Sequence, residues 1–143
     1  MESRNVHVLL NSTIRHPGQE TETHELKATG QCIVKAGRSY LKYEEDHDGK
    51  RIQTMIKMGA NDALIMRKGA VDMRLPFNVE EERQGTYGNG PATFGLVVQT
   101  ERLIFEENEN TFSGTFSVMY SLWAEESVLG NYELTITYTE GTS

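Results

Sequence analysis

Ala63-Leu-Ile-Met-Arg-Lys-Gly-Ala-Val-Asp-Met-Arg-Leu-Pro-Phe77 is the stretch whose reading decides the fold. Two alternating runs flank Lys68-Gly69-Ala70, the pattern of a β-hairpin around a tight turn. If the turn is Lys68-Gly69, Met66 faces Val71 and Leu64 faces Met73. If it is Gly69-Ala70, with glycine supplying the positive φ of a type II′ turn, Met66 faces Met73 and Leu64 faces Leu75. The two registers differ by an even step. Both therefore place Leu64, Met66, Val71, Met73, Leu75 and Phe77 on one face, and Arg67, Asp72 and Arg74 on the other. One face is expected to be core and the other wet.

The same unit repeats outward in both directions. Upstream, Val6, Val8, Leu10 and Ile14 alternate across 4–15, and Leu26, Ala28, Cys32 and Val34 across 21–35. Leu41 and Tyr43 mark a third strand. The turn at Asp48-Gly49 leads to a fourth with Ile52, Thr54, Ile56 and Met58 inside. Downstream, residues 78–91 read as a long polar loop with a short helical turn around Val79 to Arg83. Phe94, Leu96, Val98 and Thr100 then alternate until the phase slips near Arg102 and Leu103, which predicts a bulge. Phe112, Phe116, Val118, Tyr120 and Leu122 line one face of the next strand, and Tyr132, Leu134, Ile136 and Tyr138 one face of the last. An acidic hairpin loop, 106–110, joins the strands before and after it.

No helical periodicity of useful length interrupts this pattern. Nine strand-like segments joined by short turns make an antiparallel meander. An open sheet would leave its apolar faces wet. Closing it into a barrel of about eight strands buries one face of every strand and removes the edges. Residues 1–143 are thus expected to form one all-β barrel domain, with a two-sheet sandwich as the alternative.

Bulk properties narrow the function classes. The net charge of -7 and the pI near 5.1 argue against nucleic acid and anionic membrane as partners. The mean hydropathy of -0.52 suits half-buried strands. A single cysteine, Cys32, forbids an internal disulfide and points to a reducing compartment. No apolar run approaches the roughly 20 residues of a membrane-spanning helix, and the N-terminus lacks the apolar core of a signal peptide. A soluble cytoplasmic protein is expected, as a monomer or homodimer.

Tyr40-Leu-Lys-Tyr-Glu-Glu45, Asp48-Gly49, Thr54-Met-Ile-Lys57, Met66-Arg-Lys-Gly-Ala-Val-Asp-Met73 and Asn131-Tyr-Glu-Leu-Thr-Ile-Thr-Tyr138 together resemble the uncharacterised YwiB-like family. The resemblance covers essentially the whole chain. It implies a small cytoplasmic bacterial protein with a calycin-like, lipocalin-like β-barrel and no established activity, so there are no catalytic residues to carry over. The Gly-x-Trp signature of true lipocalins is absent, the only tryptophan being Trp123.

Candidate chemistry follows from which residues share the core phase. Tyr43, Glu45, Thr54, Thr100 and Tyr120, with Met66 and Met73, put a few polar groups and adaptable thioethers among apolar walls, the make-up of a small-molecule pocket. The same pattern suits a barrel filled by its own side chains, and the two remain open here. The favoured reading is a lumen that binds a small apolar or amphipathic ligand, entered past 78–91. The alternative is a barrel that contacts a protein or a second copy through Arg67, Arg74, Met119 and Trp123. An enzyme using Glu45 or His24 as a base ranks last, and no catalytic residue is assigned. No metal or cofactor is expected. Asp46-His47-Asp48 lacks the later ligands of a calcium loop, and the four histidines lack zinc spacing.

Overall fold

Period-two alternation gives each strand one apolar face, and ten such faces close around a common interior. The computed structural model describes residues 2–89, 91–108 and 110–141, without the side chains of His47 and Asn89. The strands are β1 (Glu2–Arg15), β2 (Glu22–Lys35), β3 (Arg38–His47), β4 (Lys50–Met58), β5 (Asp62–Gly69), β6 (Asp72–Asn78), β7 (Arg83–Asn89), β8 (Ala92–Asn108), β9 (Ser113–Ala124) and β10 (Ser127–Glu140). Each pairs antiparallel with its sequence neighbours, and β1 closes the barrel by pairing with both β2 and β10. Met1, Gly90, Glu109, Thr142 and Ser143 lie outside the described residues, so the expected 78–91 and 106–110 loops are described only in part.

Among the described residues there are ten strands: the polar segment 78–91 contains β7 in addition to the nine segments read from the sequence, and all ten join the barrel rather than about eight. Its inward positions include Gly85 and Tyr87, which pair with Leu96 and Phe94 of β8. Glycine carries no hydropathy, so the alternation that marks a half-buried strand is missing there. Bends at 79–81 replace the expected helical turn. The bulge near Arg102 is present, as a register shift between Thr100 and Arg102 that returns Leu103 and Phe105 to the interior opposite Val118 and Phe116.

The opening hairpin has an odd register. Its pairing runs Ala63↔Phe77, Ile65↔Leu75 and Arg67↔Met73, leaving 68–72 in the loop. Gly69 stays paired to Ile52 of β4, and the Ala70 N–H donates to the Arg51 carbonyl at 3.3 Å. Held on the β4 side, Gly69 adopts a φ of +122°, and a Cβ on it would lie 2.2 Å from the Arg51 oxygen. The hairpin cannot close in two residues. An odd-length loop reverses the phase of one strand against the other. Met73, Leu75 and Phe77 face inward as expected, while Leu64 and Met66 face outward and Ala63, Ile65 and Arg67 take their place.

One end of the barrel is solid. Val6, Leu41, Met58, Phe77, Phe116, Val118, Ile136 and Tyr138 fill it at 2 % exposure or less. Burial of a side chain of this size stabilises by about 1.5–3 kcal/mol, so this plug is the chief apolar term in the fold. A polar clasp sits beside it. Ser39 Oγ donates to Glu107 Oε2 at 2.7 Å, and the Tyr138 hydroxyl donates to the same oxygen at 3.4 Å. The opposite end is the mouth, formed by the β1–β2, β3–β4, β5–β6, β7–β8 and β9–β10 turns.

Candidate ligand-binding cavity

Eight strands enclose an interior that side chains can fill, and ten enclose a wider one. Above the plug the described residues surround a cavity of about 920 Å³, open at the mouth. Ile56, Ile65 and Leu75 line it and are each buried. That volume lies at the upper end of the ordinary range for small-molecule sites.

The cavity has two unlike walls. The aliphatic wall belongs to β1, β2 and β10, with Leu10, Ile14, Leu26 and Leu134, and Tyr120 and Tyr132 stack beside it at 5.0 Å between ring centroids. Tyr120 also packs on Phe77 of the plug at 4.8 Å. The polar wall is one cross-strand row. Tyr43 pairs with Thr54, Thr54 with Arg67, Arg67 with Met73 and Met73 with Tyr87, so period-two geometry delivers all five side chains to the lumen together. Glu45, two residues beyond Tyr43, completes it.

Arg67 Nη2 donates to Glu45 Oε1, with the two side chains 29 % and 19 % exposed. The pair is neither fully solvated nor sealed, and this intermediate burial sets its energetic weight. Burial pushes the Tyr43 hydroxyl up to about 12; Glu45 adds to the shift and Arg67 opposes it. Burial also raises Tyr120, with Tyr132 contributing and Arg67 opposing, and raises Tyr132. All three phenols stay protonated at neutral pH and can each donate one hydrogen bond. Thr54 is 3 % exposed. Its hydroxyl lies near enough to Tyr43 to favour the phenolate slightly, yet Thr54 Oγ1 completes no hydrogen bond of acceptable geometry.

Next to this wall the barrel seam parts. Pairing of β2 with β3 ends at Gly30↔Tyr43, although β2 begins at Glu22 and β3 runs on to His47. A depression of about 720 Å³ follows the parting and shares Tyr43, Glu45 and Thr54 with the lumen. Charged residues line the two unpaired edges, Glu22, Glu25 and Lys27 on one and Glu44 and Asp46 on the other, a composition that resists edge-to-edge association.

Of the residues expected at a lumen site, Tyr43, Glu45, Thr54, Met73 and Tyr120 all line the cavity. Met66 does not, because the odd hairpin register turns it outward opposite Arg74 and Met55. Thr100 is not among the cavity-lining residues, and its Oγ1 accepts the Asn78 N–H at 3.3 Å. Arg67, expected on the outer wall, is inside for the same register reason. Arg74 is exposed on the outside as expected. Trp123 is on the outer wall but half-buried, and its indole N–H donates to Ser121 Oγ at 2.8 Å.

Phe94, in phase with Leu96 and Val98 as expected, is 58 % exposed and lines the opening, and so does Leu129 at 40 %, which periodicity missed. Leu129 lies in a second bulge, between Val128 and Gly130, which takes it out of the strand phase. His24 lines the mouth with Nε2 3.5 Å from Glu22 Oε2. Cys32 is a buried free thiol, raised by burial, and is not among the cavity-lining residues. Among the described residues, no group of three or more His, Cys, Asp or Glu side chains is placed to hold a metal. The His47 side chain of the Asp46-His47-Asp48 run is outside the described set. No helix among the described residues is long and apolar enough to cross a membrane.

Comparison with known proteins agrees with this architecture. Residues 8–136 match the profile of a family described as "Domain of unknown function (DUF1934)". The chain is 29% identical over 134 residues to the "Uncharacterized beta-barrel protein YwiB" of Bacillus subtilis (strain 168), covering 93% of this chain and 92% of that one. The crystal structure of the ywiB protein from Bacillus subtilis superposes with a TM-score of 0.86 at 27% identity, covering 98% of this chain and 94% of that one.

Proposed function

Because the chain belongs to the DUF1934 family of domains of unknown function, we propose its function from the cavity: it binds a small, mainly apolar molecule carrying a polar group, held in the barrel lumen. The observation that supports this reading is the two-walled cavity of about 920 Å³. A purely structural barrel gains stability from every side chain that fills its interior, and an unfilled volume of this size forgoes that packing. The exposed Phe94 and Leu129 add apolar surface at the entrance, where an incoming ligand would first make contact.

The expected compartment is the cytoplasm, supported by the single free thiol of Cys32. The competing reading, a barrel acting through its outer face, has lost Arg67 from its surface. Trp123 is also less available to it, being half-buried and bonded to Ser121.

The test is titration of the purified protein with N-phenyl-1-naphthylamine, an uncharged dye that fluoresces in apolar surroundings. Saturable enhancement is expected, and it should be lost in Leu26→Trp, which fills the lumen from β2. A native mass spectrum should show the matching one-to-one complex. Absence of saturable enhancement in the folded protein refutes the reading.

A further inference from the structure

We propose that the lumen selects a ligand whose head group is uncharged and both donates and accepts hydrogen bonds, an amide or a hydroxyl, rather than a carboxylate or an ammonium. This rests on the lumen being a binding site. Three features of the polar wall carry it. First, Arg67 and Glu45 already satisfy one another. Their charges cancel, yet they are not used up: the guanidinium has five N–H donors, and the carboxylate has lone pairs beyond the one bonded to Arg67. Second, Thr54 Oγ1 is buried in the same wall close to the Tyr43 hydroxyl, so these two neighbours add polar groups to the wall without adding charge. Third, Tyr43 stands beside both as a protonated phenol.

The wall thus presents donors and acceptors side by side with no net charge. An amide or alcohol can accept from Arg67 or Tyr43 and donate to Glu45. A ligand carboxylate can reach a free N–H of Arg67, but it sets two anions around one guanidinium in a partly desolvated space. An ammonium meets the mirror problem, since Glu45 is already neutralised by the cation beside it. The mouth adds Glu25, Glu125 and Glu133, which further oppose an anion on its way in.

The experiment is displacement of bound N-phenyl-1-naphthylamine by four ligands of equal chain length at neutral pH: dodecanamide, dodecanol, dodecanoate and dodecylammonium. The amide and the alcohol should displace the dye at concentrations about tenfold lower than either ion. Glu45→Gln frees the guanidinium, so it should improve dodecanoate by about tenfold relative to dodecanamide. A wild-type preference for dodecanoate or dodecylammonium overturns the head-group inference while leaving lumen binding intact. Failure of the dye itself to bind removes the lumen reading and this one with it. The wild-type ratios decide the matter even if Glu45→Gln fails to fold.

Discussion

Replacing Arg67 by Met tests both the hairpin register and the lumen chemistry. If the hairpin closed in two residues, Arg67 would sit on the outer wall in a solvated ion pair, and its loss would change stability by no more than about 0.5 kcal/mol. In the observed register the substitution leaves Glu45 facing the lumen without its partner. Removing one member of a fully buried pair costs about 3–5 kcal/mol, and of an exposed pair about 0–1 kcal/mol. With side chains 29 % and 19 % exposed, Arg67 and Glu45 fall between these limits, and about 2 kcal/mol is expected. Unfolding entropy scales with length at about 2.1 cal/mol/K per residue, so for this chain 2 kcal/mol corresponds to a fall in Tm of about 7 °C. Thermal melts followed by circular dichroism would read it. The double variant Arg67→Met/Glu45→Leu removes both charges and should recover about 1–2 kcal/mol relative to the sum of the single changes. A melt for Arg67→Met within about 1 °C of wild type, together with strict additivity in the double variant, would refute the inward placement of Arg67.

Other changes probe separate parts of the barrel. In Gly30→Ala a Cβ would lie 2.2 Å from the Lys42 carbonyl oxygen, at the last β2–β3 pair; the seam should open further, seen as faster amide exchange along 30–35 and 38–43. Thr54→Val deletes a buried hydroxyl with no completed hydrogen bond, so urea denaturation should show stability unchanged or raised by up to about 1 kcal/mol. Phe116→Ala hollows the plug at a residue with 0% exposure and should cost about 3–5 kcal/mol by the same measurement. Stability should also fall steeply at alkaline pH. Tyr43 is raised from 10.0 to about 12 on folding. Its full contribution is present below pH 10 and is lost as pH rises toward 12, because the unfolded phenol ionises first. Part of the tyrosinate absorbance should therefore appear only together with loss of β-sheet signal; all of it forming well before unfolding would contradict the burial of Tyr43.

The all-β class, the antiparallel order and most of the core were legible because hydropathy alternating with period two survives in any register. Val6, Val8, Leu41, Ile56, Phe116, Val118 and Ile136 announce themselves in this way, and even the bulge near Arg102 shows as a phase slip. The candidate site was legible in part. Tyr43, Glu45, Thr54, Met73 and Tyr120 lie in phase with apolar neighbours and do line the lumen. β7 stayed hidden, since Gly85 holds an inward position without a side chain to mark it.

Arg67 shows where sequence reading stops. Taken alone, Ala63–Phe77 is consistent with either phase of β5, since both Leu64/Met66 and Ala63/Ile65 are apolar pairs. The choice is made by the pairing of Gly69 with Ile52 and by the Ala70 bond to Arg51, contacts with β4 that lengthen the turn by an odd step. The sequence by itself determined that these strands alternate and that they must close to bury their apolar faces, because that follows from local period and from hydration. Only the tertiary structure decided how many strands close, which face of β5 turns inward and hence that an arginine and a glutamate meet inside the lumen. Register depends on hydrogen bonds between strands, and no single strand contains that information.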